Sequence, residues 1–373
     1  MAELQSLAGL HVLLAGGGSG GHVFPALAVA AALQKRGGSA SFVGSPQGLE
    51  ARLVPNLGAE IPGGIPFHAL PAKPVVGRGP LDKLRALLVL LGSSWRARAL
   101  VRQLGPQTVL GTGGYASAAP VLGAWLAGLP VVLLEPNADP GAANRMLSRF
   151  AAGACVAFAE AGGGLRCRTW ITGVPVREAM FAVPARLPDD AETQVLVLGG
   201  SQGARQLNEL VPQAVALLPR ELPLRVVHQC GNANVEASRA AWAAAAPERA
   251  VEVLSFIDDV PAALATAHLV ISRAGAITLA ELCAAGRPAV LVPLTIAAGH
   301  QRGNAEALEH AGAARLLAAD SATPQRLADL LAELLQDRAA LAAMAAAARR
   351  LGRPGAADAI VDRLAEVTQR RAA

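Results

Sequence analysis

The residues of this sequence that are best suited to ligand binding or catalysis lie in two glycine-rich loops. The first, Gly16-Gly-Gly-Ser-Gly-Gly-His22, follows an apolar run at residues 11–15, and the second, Gly199-Gly-Ser-Gln-Gly-Ala204, follows one at residues 195–198. Glycine lets backbone N–H groups approach a ligand, and the N-terminus of a following helix favours anions. The sequence therefore predicts a phosphate-facing turn in each half of the chain. Neither turn continues into the Gly-Lys-Ser/Thr of a P-loop, and a tight strand-to-helix turn without a ligand is the alternative for both.

The first loop also has the spacing of a dinucleotide-binding turn, with glycines at positions 16, 18 and 21. That function requires an acidic residue at the end of the second strand, where it binds the ribose. Here the second predicted strand ends in Phe42-Val-Gly-Ser-Pro46, and Glu50 comes later, in a predicted helix. The sequence therefore disfavours a nicotinamide cofactor.

Other polar residues follow apolar runs farther along the chain. His22 opens the helix after the first loop, where it suits a general base, although a structural histidine is the alternative. Thr278 and Glu281 are three residues apart on one predicted helix face, and a carboxylate there suits ribose hydroxyls. Gln301 and Asn304 have the same spacing and suit a sugar, although either pair is also compatible with an ordinary solvated surface.

Metal-dependent sugar transfer has no visible support in this sequence. No Asp-x-Asp occurs in the chain, so the usual carboxylate pair for a divalent cation on a diphosphate is missing. Arginine side chains and helix N-termini would then have to stabilise the charge of a leaving diphosphate.

The composition excludes several classes of protein. Of 373 residues, 53% are hydrophobic and 16% charged, which predicts two or three folded domains and rules out a disordered chain. The net charge of +5 is modest and only 3% of residues are aromatic, so nucleic-acid binding is disfavoured. Four separated cysteines without a C-x-x-C pair, and no signal peptide, favour a reducing cytoplasm.

Alternation of short apolar runs with helical patterns predicts an α/β protein with doubly wound parallel sheets. A helix is expected from about residue 25 to 36. Because the glycine loop occurs twice, we predict two domains, residues 1–176 and 177–355, with a final helix at about 356–373 returning to the first. The uncharged stretch between Arg102 and Glu135 is long enough for a membrane span, but Pro106, Pro120 and Pro130 interrupt it. It is interpreted instead as strand, glycine loop, short helix and strand.

One basic segment, residues 73–102, combines positive charge with a helical apolar stripe. The stripe recurs at three- and four-residue spacing and consists of Leu81, Leu84, Leu88, Leu91 and Trp95. It predicts an amphipathic helix whose stripe faces the core. An anionic membrane surface is the alternative partner, and the two interpretations can coexist.

Eight motifs in a fixed order together resemble the MurG family of bacterial peptidoglycan glycosyltransferases. They are Gly-Ser-Gly-Gly-His-Val-Phe-Pro (18–25), Gly-Thr-Gly-Gly-Tyr-Ala-Ser (111–117), Glu-Pro-Asn (135–137), Gly-Val-Pro-Val-Arg (173–177), Gly-Gly-Ser-Gln-Gly-Ala (199–204), Phe-Ile-Asp-Asp (256–259), the run 272–281 and His-Gln-Arg-Gly-Asn-Ala (300–305). The resemblance implies a GT-B fold, with two Rossmann-like domains facing a cleft. It also implies transfer of N-acetylglucosamine (GlcNAc) from UDP-GlcNAc to the C4 hydroxyl of lipid I, undecaprenyl-pyrophosphoryl-MurNAc-pentapeptide, without a metal or other cofactor. The enzyme would invert the anomeric centre at the cytoplasmic face of the membrane, bound peripherally to anionic lipid.

The resemblance also implies roles for individual residues. His22 is the candidate base, and Gly113, Gly114 and Tyr115 belong to an acceptor-side loop. The implied donor-side residues are Ser19, Gly20, Gly21, Asn137, Arg177, Ser201, Ile257, Ala276, Ile277, Thr278, Leu279, Ala280, Glu281 and Gln301. Among these, Ile257 would hold uracil, Glu281 the ribose, and Arg177, Ser201 and the 276–278 backbone the diphosphate, while Gln301 and Asn137 would contact the GlcNAc.

The sequence departs from the family pattern at two points. Ser19 stands where threonine is usual, with an extra glycine before it, and Ala274 replaces a frequent serine. Two other functions remain open: a GT-B glycosyltransferase with a different acceptor, and a non-catalytic nucleotide-sugar sensor. A sensor would have no use for His22 or the loop at 111–117, so a sugar-transfer assay distinguishes it.

Overall fold

A computed structural model describes residues 6–72, 80–190, 192–200, 203–294 and 300–372, with the backbone alone at 80–87 and 372. The chain divides into two compact units, Met1–Pro175 with Gly355–Ala373, and Val176–Pro354.

The first unit is built on a seven-stranded parallel sheet. Its strands are β1 His11–Gly16, β2 Ser39–Gly44, β3 Phe67–Ala69, β4 Thr108–Gly113, β5 Val131–Glu135, β6 Gly153–Val156 and β7 Thr169–Ile171. They lie in the order β3-β2-β1-β4-β5-β6-β7. Its first five helices are α1 Gly20–Lys35, α2 Glu50–Gly58, α3 Pro80–Leu104, α4 Ala118–Leu126 and α5 Ala142–Leu147.

Strand β1 shows why this sheet is covered on both faces. Val12 and Leu14 point into one apolar core, which includes residues of α1, and Leu13 and Ala15 point into a second core with residues of α3 and α4. All four side chains are at most 1% exposed. A continuous apolar run is therefore required here, as is usual for a parallel strand between two layers of helices.

The second unit has a six-stranded parallel sheet. Its strands are β8 Thr193–Leu198, β9 Leu224–Gln229, β10 Ala250–Leu254, β11 Leu269–Ser272, β12 Ala289–Leu291 and β13 Ala314–Leu316. They lie in the order β10-β9-β8-β11-β12-β13. Its helices are α6 Ala179–Ala182, α7 Arg205–Ala216, α8 Val235–Ala245, α9 Val260–Thr266, α10 Ala276–Ala285, α11 His300–His310, α12 Pro324–Gln336 and α13 Arg338–Leu351.

The first six strands of each unit are arranged in the same order. In each sheet the strands are added on one side of the first strand and then on the other, so the strand order reverses between β1 and β4 and between β8 and β11. This is the doubly wound, Rossmann-like arrangement, in which ligands bind outside the carboxyl ends of the strands at the reversal. The predicted α/β class with two parallel sheets is confirmed.

The last helix, α14 Ala356–Ala372, belongs to the first unit. Its Ile360, Val361 and Leu364 are fully buried in the core that also contains residues of α1. At the edge of this contact Arg36, 3% exposed, pairs with Asp362 at 2.7 Å. The second unit is thus inserted between two segments of the first.

Two local predictions are wrong. Helix α1 begins at Gly20 rather than near Pro25, because the amide of His22 donates to the Ser19 carbonyl 3.1 Å away and so starts the helical turn earlier. The apolar stripe of α3 does not face the core where its side chains are described: Leu88 and Trp95 are each 61% exposed, and Leu91 is 51% exposed. The core side of α3 consists of smaller residues, among them Ala97 and Val101.

None of the helices within the described residues is both long and apolar enough to cross a bilayer.

Candidate functional site

In the first unit, the predicted loops lie at the reversal of strand order. Strand β1 leads into the first glycine turn, and its neighbour β4 leads into Gly114 and Tyr115. Both loops therefore lie at the same edge of the sheet, which is where this fold binds ligands.

His22, in the first turn of α1, is held by the end of β4. Its Nδ1 lies 2.7 Å from the Thr112 carbonyl oxygen. Because a carbonyl only accepts, Nδ1 must carry the proton, and Nε2 is then the nitrogen with the free lone pair. Burial lowers the pKa of His22 below 6.5, although the Thr112 carbonyl and the charges of Glu135 and Glu50 act in the opposite direction. A neutral imidazole with a basic Nε2 at pH 7 is the form that a general base requires.

The two glycines of the predicted acceptor-side loop, Gly113 and Gly114, leave the space that the His22 ring occupies. Gly113 and Gly114 have φ angles of 94° and 75°. A Cβ at Gly113 would lie 3.0 Å from His22 Cε1, and one at Gly114 would lie 3.1 Å from Cδ2 and overlap the Gly17 carbonyl. The Tyr115 ring approaches Gly18 in the same way, 3.2 Å from the position of a Cβ. The two predicted loops of this unit therefore pack directly on each other.

The beginning of α1 offers donors to an anion. Ser19 is the N-cap residue, is exposed, and makes no capping bond with its side chain. The first N–H groups of a helix lack intrahelical partners and favour negative charge. Gly20 and Gly21 keep this turn free of bulky side chains, so the backbone of residues 19–21 can approach a phosphate.

Asn137 is placed by a buried carboxylate at the end of β5. Glu135, 1% exposed, accepts bonds of 2.9 Å from the backbone N and the Nδ2 of Asn137. It also accepts from Gly141 N and Asn144 Nδ2, both at 2.9 Å. Glu135 therefore fixes the turn that presents Asn137.

The sequence predicted only that Glu50 lies in a helix, too far along the chain to bind the ribose of a dinucleotide. The structure buries it completely against the first glycine loop.

In the second unit, a cavity of about 570 Å³ lies at the reversal between β8 and β11. Gly199, Gly200 and Gly203 line one side of it, and Arg273 and Gln301 line another. Ser201, predicted to contact the diphosphate, lies outside the described residues. Gly203 is required by close packing, because a Cβ there would overlap the Cys230 carbonyl.

The N-terminus of α10 presents the predicted diphosphate-binding backbone. Gly275 is its N-cap and provides no side-chain bond to the first turn, which consists of Ala276, Ile277 and Thr278. The N–H of Leu279, unlike those of the first turn, already has an intrahelical partner, because it donates to the Gly275 carbonyl at 3.0 Å. The Leu279 side chain is fully buried. Ala280, one position before Glu281, is partly exposed.

Arg177 and Glu281 are brought together by the structure. Arg177 Nη2 donates to Glu281 Oε1 over 3.1 Å. Burial raises the pKa of Glu281, and the charge and hydrogen bond of Arg177 lower it. The guanidinium therefore favours the ionised carboxylate, which is the form able to accept bonds from two ribose hydroxyls.

Ile257 lies in the loop between β10 and α9, and Gln301 lies in the first turn of α11. Ile257 follows β10 and is 7% exposed, so its backbone is the part that could reach a base. Gln301, at the start of α11, accepts from Leu294 N at 3.0 Å. Asn304, one turn later, is fully buried and donates to the Ala274 carbonyl at 3.1 Å. Asn304 thus joins α11 to the turn before α10 and is not a surface residue.

Arg273 belongs to the motif at residues 272–281, but the sequence predicted no role for it. Its Nη1 donates to Gln206 Oε1 at 2.8 Å and to the Val292 carbonyl at 2.9 Å, while its Nε is buried without a partner among the described residues. Because the side chain lines the cavity, it provides a cation there. The sequence contained a signal for this position, because Arg273 comes directly after the apolar strand β11 and therefore lies at the binding edge of the sheet.

No group of three His, Cys, Asp or Glu residues within the described ranges is arranged to hold a metal ion.

Comparison with known proteins identifies both halves of the chain. Residues 12–156 match the glycosyltransferase family 28 N-terminal domain, and residues 194–360 match the family 28 C-terminal domain. The UDP-N-acetylglucosamine–N-acetylmuramyl-(pentapeptide) pyrophosphoryl-undecaprenol N-acetylglucosamine transferase of Syntrophotalea carbinolica is 43% identical over 94% of this chain and 97% of its own. The protein of the same name from Ectopseudomonas mendocina is 44% identical over 96% and 98%.

A solved structure agrees with these relatives. The crystal structure of Acinetobacter baumannii MurG superposes with a TM-score of 0.82 at 36% identity, covering 96% of this chain and 99% of that one. The predicted family and the two Rossmann-like domains of a GT-B glycosyltransferase are thereby confirmed. The chain belongs to glycosyltransferase family 28, within its MurG group.

Proposed function

We propose that this chain transfers GlcNAc from UDP-GlcNAc to the C4 hydroxyl of the MurNAc in lipid I, releasing UDP and lipid II. The named activity of relatives that match nearly the whole chain supports this function. The structural observation that carries it is the placement of the candidate loops at the strand-order reversal of both sheets. A sugar nucleotide and a diphosphate-linked acceptor each need such a loop.

The second unit is the proposed donor-binding domain. Glu281 accepts the ribose hydroxyls, the backbone of Ile257 meets the uracil, and Gln301 contacts the GlcNAc, for which Asn137 of the first unit is a further proposed contact. The first turn of α10, Ser201 and Arg177 surround the diphosphate. These donors stabilise the charge that develops on UDP as the glycosidic bond breaks, which is the task that oriented dipoles perform well in enzymes.

The first unit, with its returning helix α14, is the proposed acceptor domain. His22 Nε2 removes the proton from the C4 hydroxyl as its oxygen forms a bond to C1 of GlcNAc. The bond from C1 to the β-phosphate oxygen of UDP breaks on the opposite side, so the anomeric centre is inverted. Ser19, Gly20 and Gly21 face the donor sugar and the acceptor diphosphate, with Gly113, Gly114 and Tyr115 on the acceptor side.

The test is turnover of UDP-GlcNAc by the whole chain with a soluble lipid I analogue. We expect UDP and a β-linked disaccharide product in equal amounts, measured by coupled UDP detection and NMR. Binding of UDP-GlcNAc without transfer to any acceptor would instead indicate a sensor. Transfer to a different acceptor class, but not to the lipid I analogue, would indicate another GT-B enzyme.

We further propose that the first unit binds the anionic cytoplasmic face of the membrane. An apolar patch, formed by Leu88, Leu91 and Trp95 of α3 and by Trp125 and Leu126 of α4, is 39–61% exposed. Arg98 joins its two parts, since its guanidinium lies 5.4 Å from the Trp95 ring and its Nε donates to the Leu126 carbonyl at 3.2 Å. Exposed Arg96 and Arg102 flank it. Indole rings bordered by arginines suit a headgroup layer that carries negative charge.

Vesicle sedimentation tests this surface. Arg96→Glu with Arg102→Glu should weaken binding to vesicles containing anionic lipid at least tenfold, at about 1 kcal/mol for each basic residue near the surface. The control reverses two exposed arginines of the second unit, Arg239 and Arg326. Equal binding by the two double variants would contradict the proposed surface.

A further inference from the structure

Glu50 is a fully buried carboxylate with two backbone partners at the first glycine turn. Its Oε2 accepts from Gly18 N at 2.9 Å, and its Oε1 accepts from Ser45 N at 2.9 Å. Gly18 belongs to the turn after β1 and Ser45 to the turn after β2. One side chain, from the start of α2, therefore joins the ends of two neighbouring strands.

Three glycines make room for this carboxylate. A Cβ at Gly17, Gly44 or Gly48 would in each case meet atoms of the Glu50 side chain too closely. Gly17 belongs to the turn after β1, whereas Gly44 and Gly48 belong to the end of β2 and the turn that follows it, and both segments approach the same side chain. The space is therefore shaped for Glu50 and not left over from loose packing.

The contacts of the glycine turn continue to the proposed base. The Gly17 carbonyl packs against Gly114, and Gly18 lies under the Tyr115 ring. Gly114 in turn lies against the His22 ring, whose Nδ1 is bonded to Thr112. A shift of the turn at Gly17 and Gly18 would thus move the loop on which the His22 ring rests.

We infer that Glu50 is a positioning residue for sugar transfer, holding the first glycine turn in the geometry that the proposed base and the phosphate-facing backbone require. The inference rests on the proposed function for its activity readout. Glu50 touches no reacting atom and acts through Gly18 and the loops packed on it. Its negative charge also favours protonated His22, together with that of Glu135 on β5. Tyr115 is the other titratable group packed against this turn.

A purely structural role is the competing explanation, and the two make different predictions. A residue needed only for folding changes the amount of folded enzyme but not its kcat or its pH profile. A positioning residue lowers the kcat of fully folded enzyme and changes the titration of His22.

The principal variant is Glu50→Gln. Glutamine has nearly the same side-chain shape as glutamate, but it lacks the negative charge and replaces one of the two acceptor oxygens with an NH2 group. The control is Glu60→Gln, an exposed carboxylate just after the same helix. We expect kcat for Glu50→Gln to fall about 10- to 100-fold, the effect expected from a misplaced catalytic group. The affinity for UDP should stay within twofold, because its proposed contacts lie in the other unit. The acidic limb of the kcat/KM profile should move to lower pH.

Folding is monitored by tryptophan fluorescence during urea unfolding, since three of the four tryptophans, Trp95, Trp125 and Trp170, lie in the first unit. A kcat equal to that of Glu60→Gln, or a loss of activity that only follows the unfolded fraction, would overturn the inference. Gly48→Ala provides a second measurement, because its methyl group displaces the Glu50 carboxylate without removing it. We expect a lower kcat there too, and an unchanged kcat would contradict the role.

NMR titration of the His22 ring separates this inference from the proposed function. The pKa of His22 should be lower in Glu50→Gln than in the wild type, whether or not the chain transfers GlcNAc. An unchanged His22 pKa and ring environment would refute the positioning role, whereas a wild-type chain without transfer activity would refute the proposed function.

Discussion

Arg177 and Glu281, proposed for the diphosphate and the ribose of the donor, are bonded to each other, with Nη2 3.1 Å from Oε1. Glu281 is 20% exposed and Arg177 52%. The pairing favours an ionised carboxylate in a site where burial favours its protonated form. If the proposed roles are correct, donor binding is an exchange in which ribose hydroxyls replace the guanidinium at Glu281 and Arg177 becomes available to the phosphates.

Glu281→Gln should therefore weaken UDP binding about tenfold and remove the preference for ribose. A lost hydrogen bond to a charged group is worth about 1.5–3 kcal/mol. Calorimetry with UDP and 2′-deoxy-UDP measures both effects. The wild type should prefer UDP, whereas the variant should bind the two nucleotides about equally. Glu306→Gln, which removes an exposed carboxylate from α11, is the control, and a preference retained by Glu281→Gln would exclude Glu281 from ribose binding.

His22→Gln should lower kcat about 10²- to 10⁴-fold, the usual contribution of a general base. Glutamine keeps a polar side chain of similar length but cannot accept a proton at neutral pH. UDP affinity should not change. Turnover of the lipid I analogue is the measurement, and His310→Gln, an exposed histidine at the end of α11, is the control. Full activity of His22→Gln would assign the base to another residue.

The pH dependence of transfer should report the burial of His22. Its pKa lies below 6.5, and the base must be unprotonated, so kcat/KM should rise with pH through a midpoint below 6.5 and then level off. As the pH falls through that midpoint, activity is lost because the imidazole is charged. The profile is measured from pH 4.5 to 8.5, and a midpoint above 6.5 would contradict the neutral buried imidazole.

His228 should make the stability of the second unit depend on pH. It is buried between Asn208 and Trp242, and burial lowers its pKa to about 4. Between pH 6.5 and 4 the unfolded chain protonates this histidine and the folded chain does not, so the free energy of unfolding falls as the pH falls. The contribution is about 3 kcal/mol at most.

Urea unfolding followed at Trp242 tests this dependence. His228→Leu should be less stable than the wild type at pH 7, because Asn208 and Trp242 lose their partner. The difference between the two proteins should shrink towards pH 4. A constant difference over that range would show that His228 is not the group responsible.

Transfer activity should persist in EDTA. In the proposed mechanism, arginine and helix N-termini stabilise the leaving diphosphate, so removing divalent cations should change kcat less than twofold. Turnover is compared in EDTA and in EDTA with excess Mg²⁺. Loss of activity in EDTA that Mg²⁺ restores would require a metal-dependent step.

Much of the fold was predictable because its parallel strands must be apolar on both faces. Val12 to Ala15 alternate between two cores, so no polar residue is tolerated there, and the run is visible in the sequence. The positions of the candidate loops were predictable for a related reason. In a doubly wound sheet, polar and glycine residues directly after a buried strand lie at the binding edge.

Two features were not predictable because they depend on contacts between distant segments. Helical periodicity identified the stripe containing Leu88 and Trp95, but it does not tell whether protein or solvent covers a face. The role of Glu50 was hidden for a similar reason. Ser45, Gly44 and Gly48 lie close to Glu50 in the chain, but Gly17 and Gly18 lie more than 30 residues before it, and no local pattern joins the two segments.

The insertion of the second unit into the first has a consequence for biosynthesis. The core beneath α1 is completed by Ile360, Val361 and Leu364, which a ribosome adds only near the end of translation. The second unit has no such dependence, since its residues are contiguous. The second unit can therefore fold on the nascent chain while the first still lacks part of its core, so we expect cotranslational chaperones to engage the N-terminal half for longest.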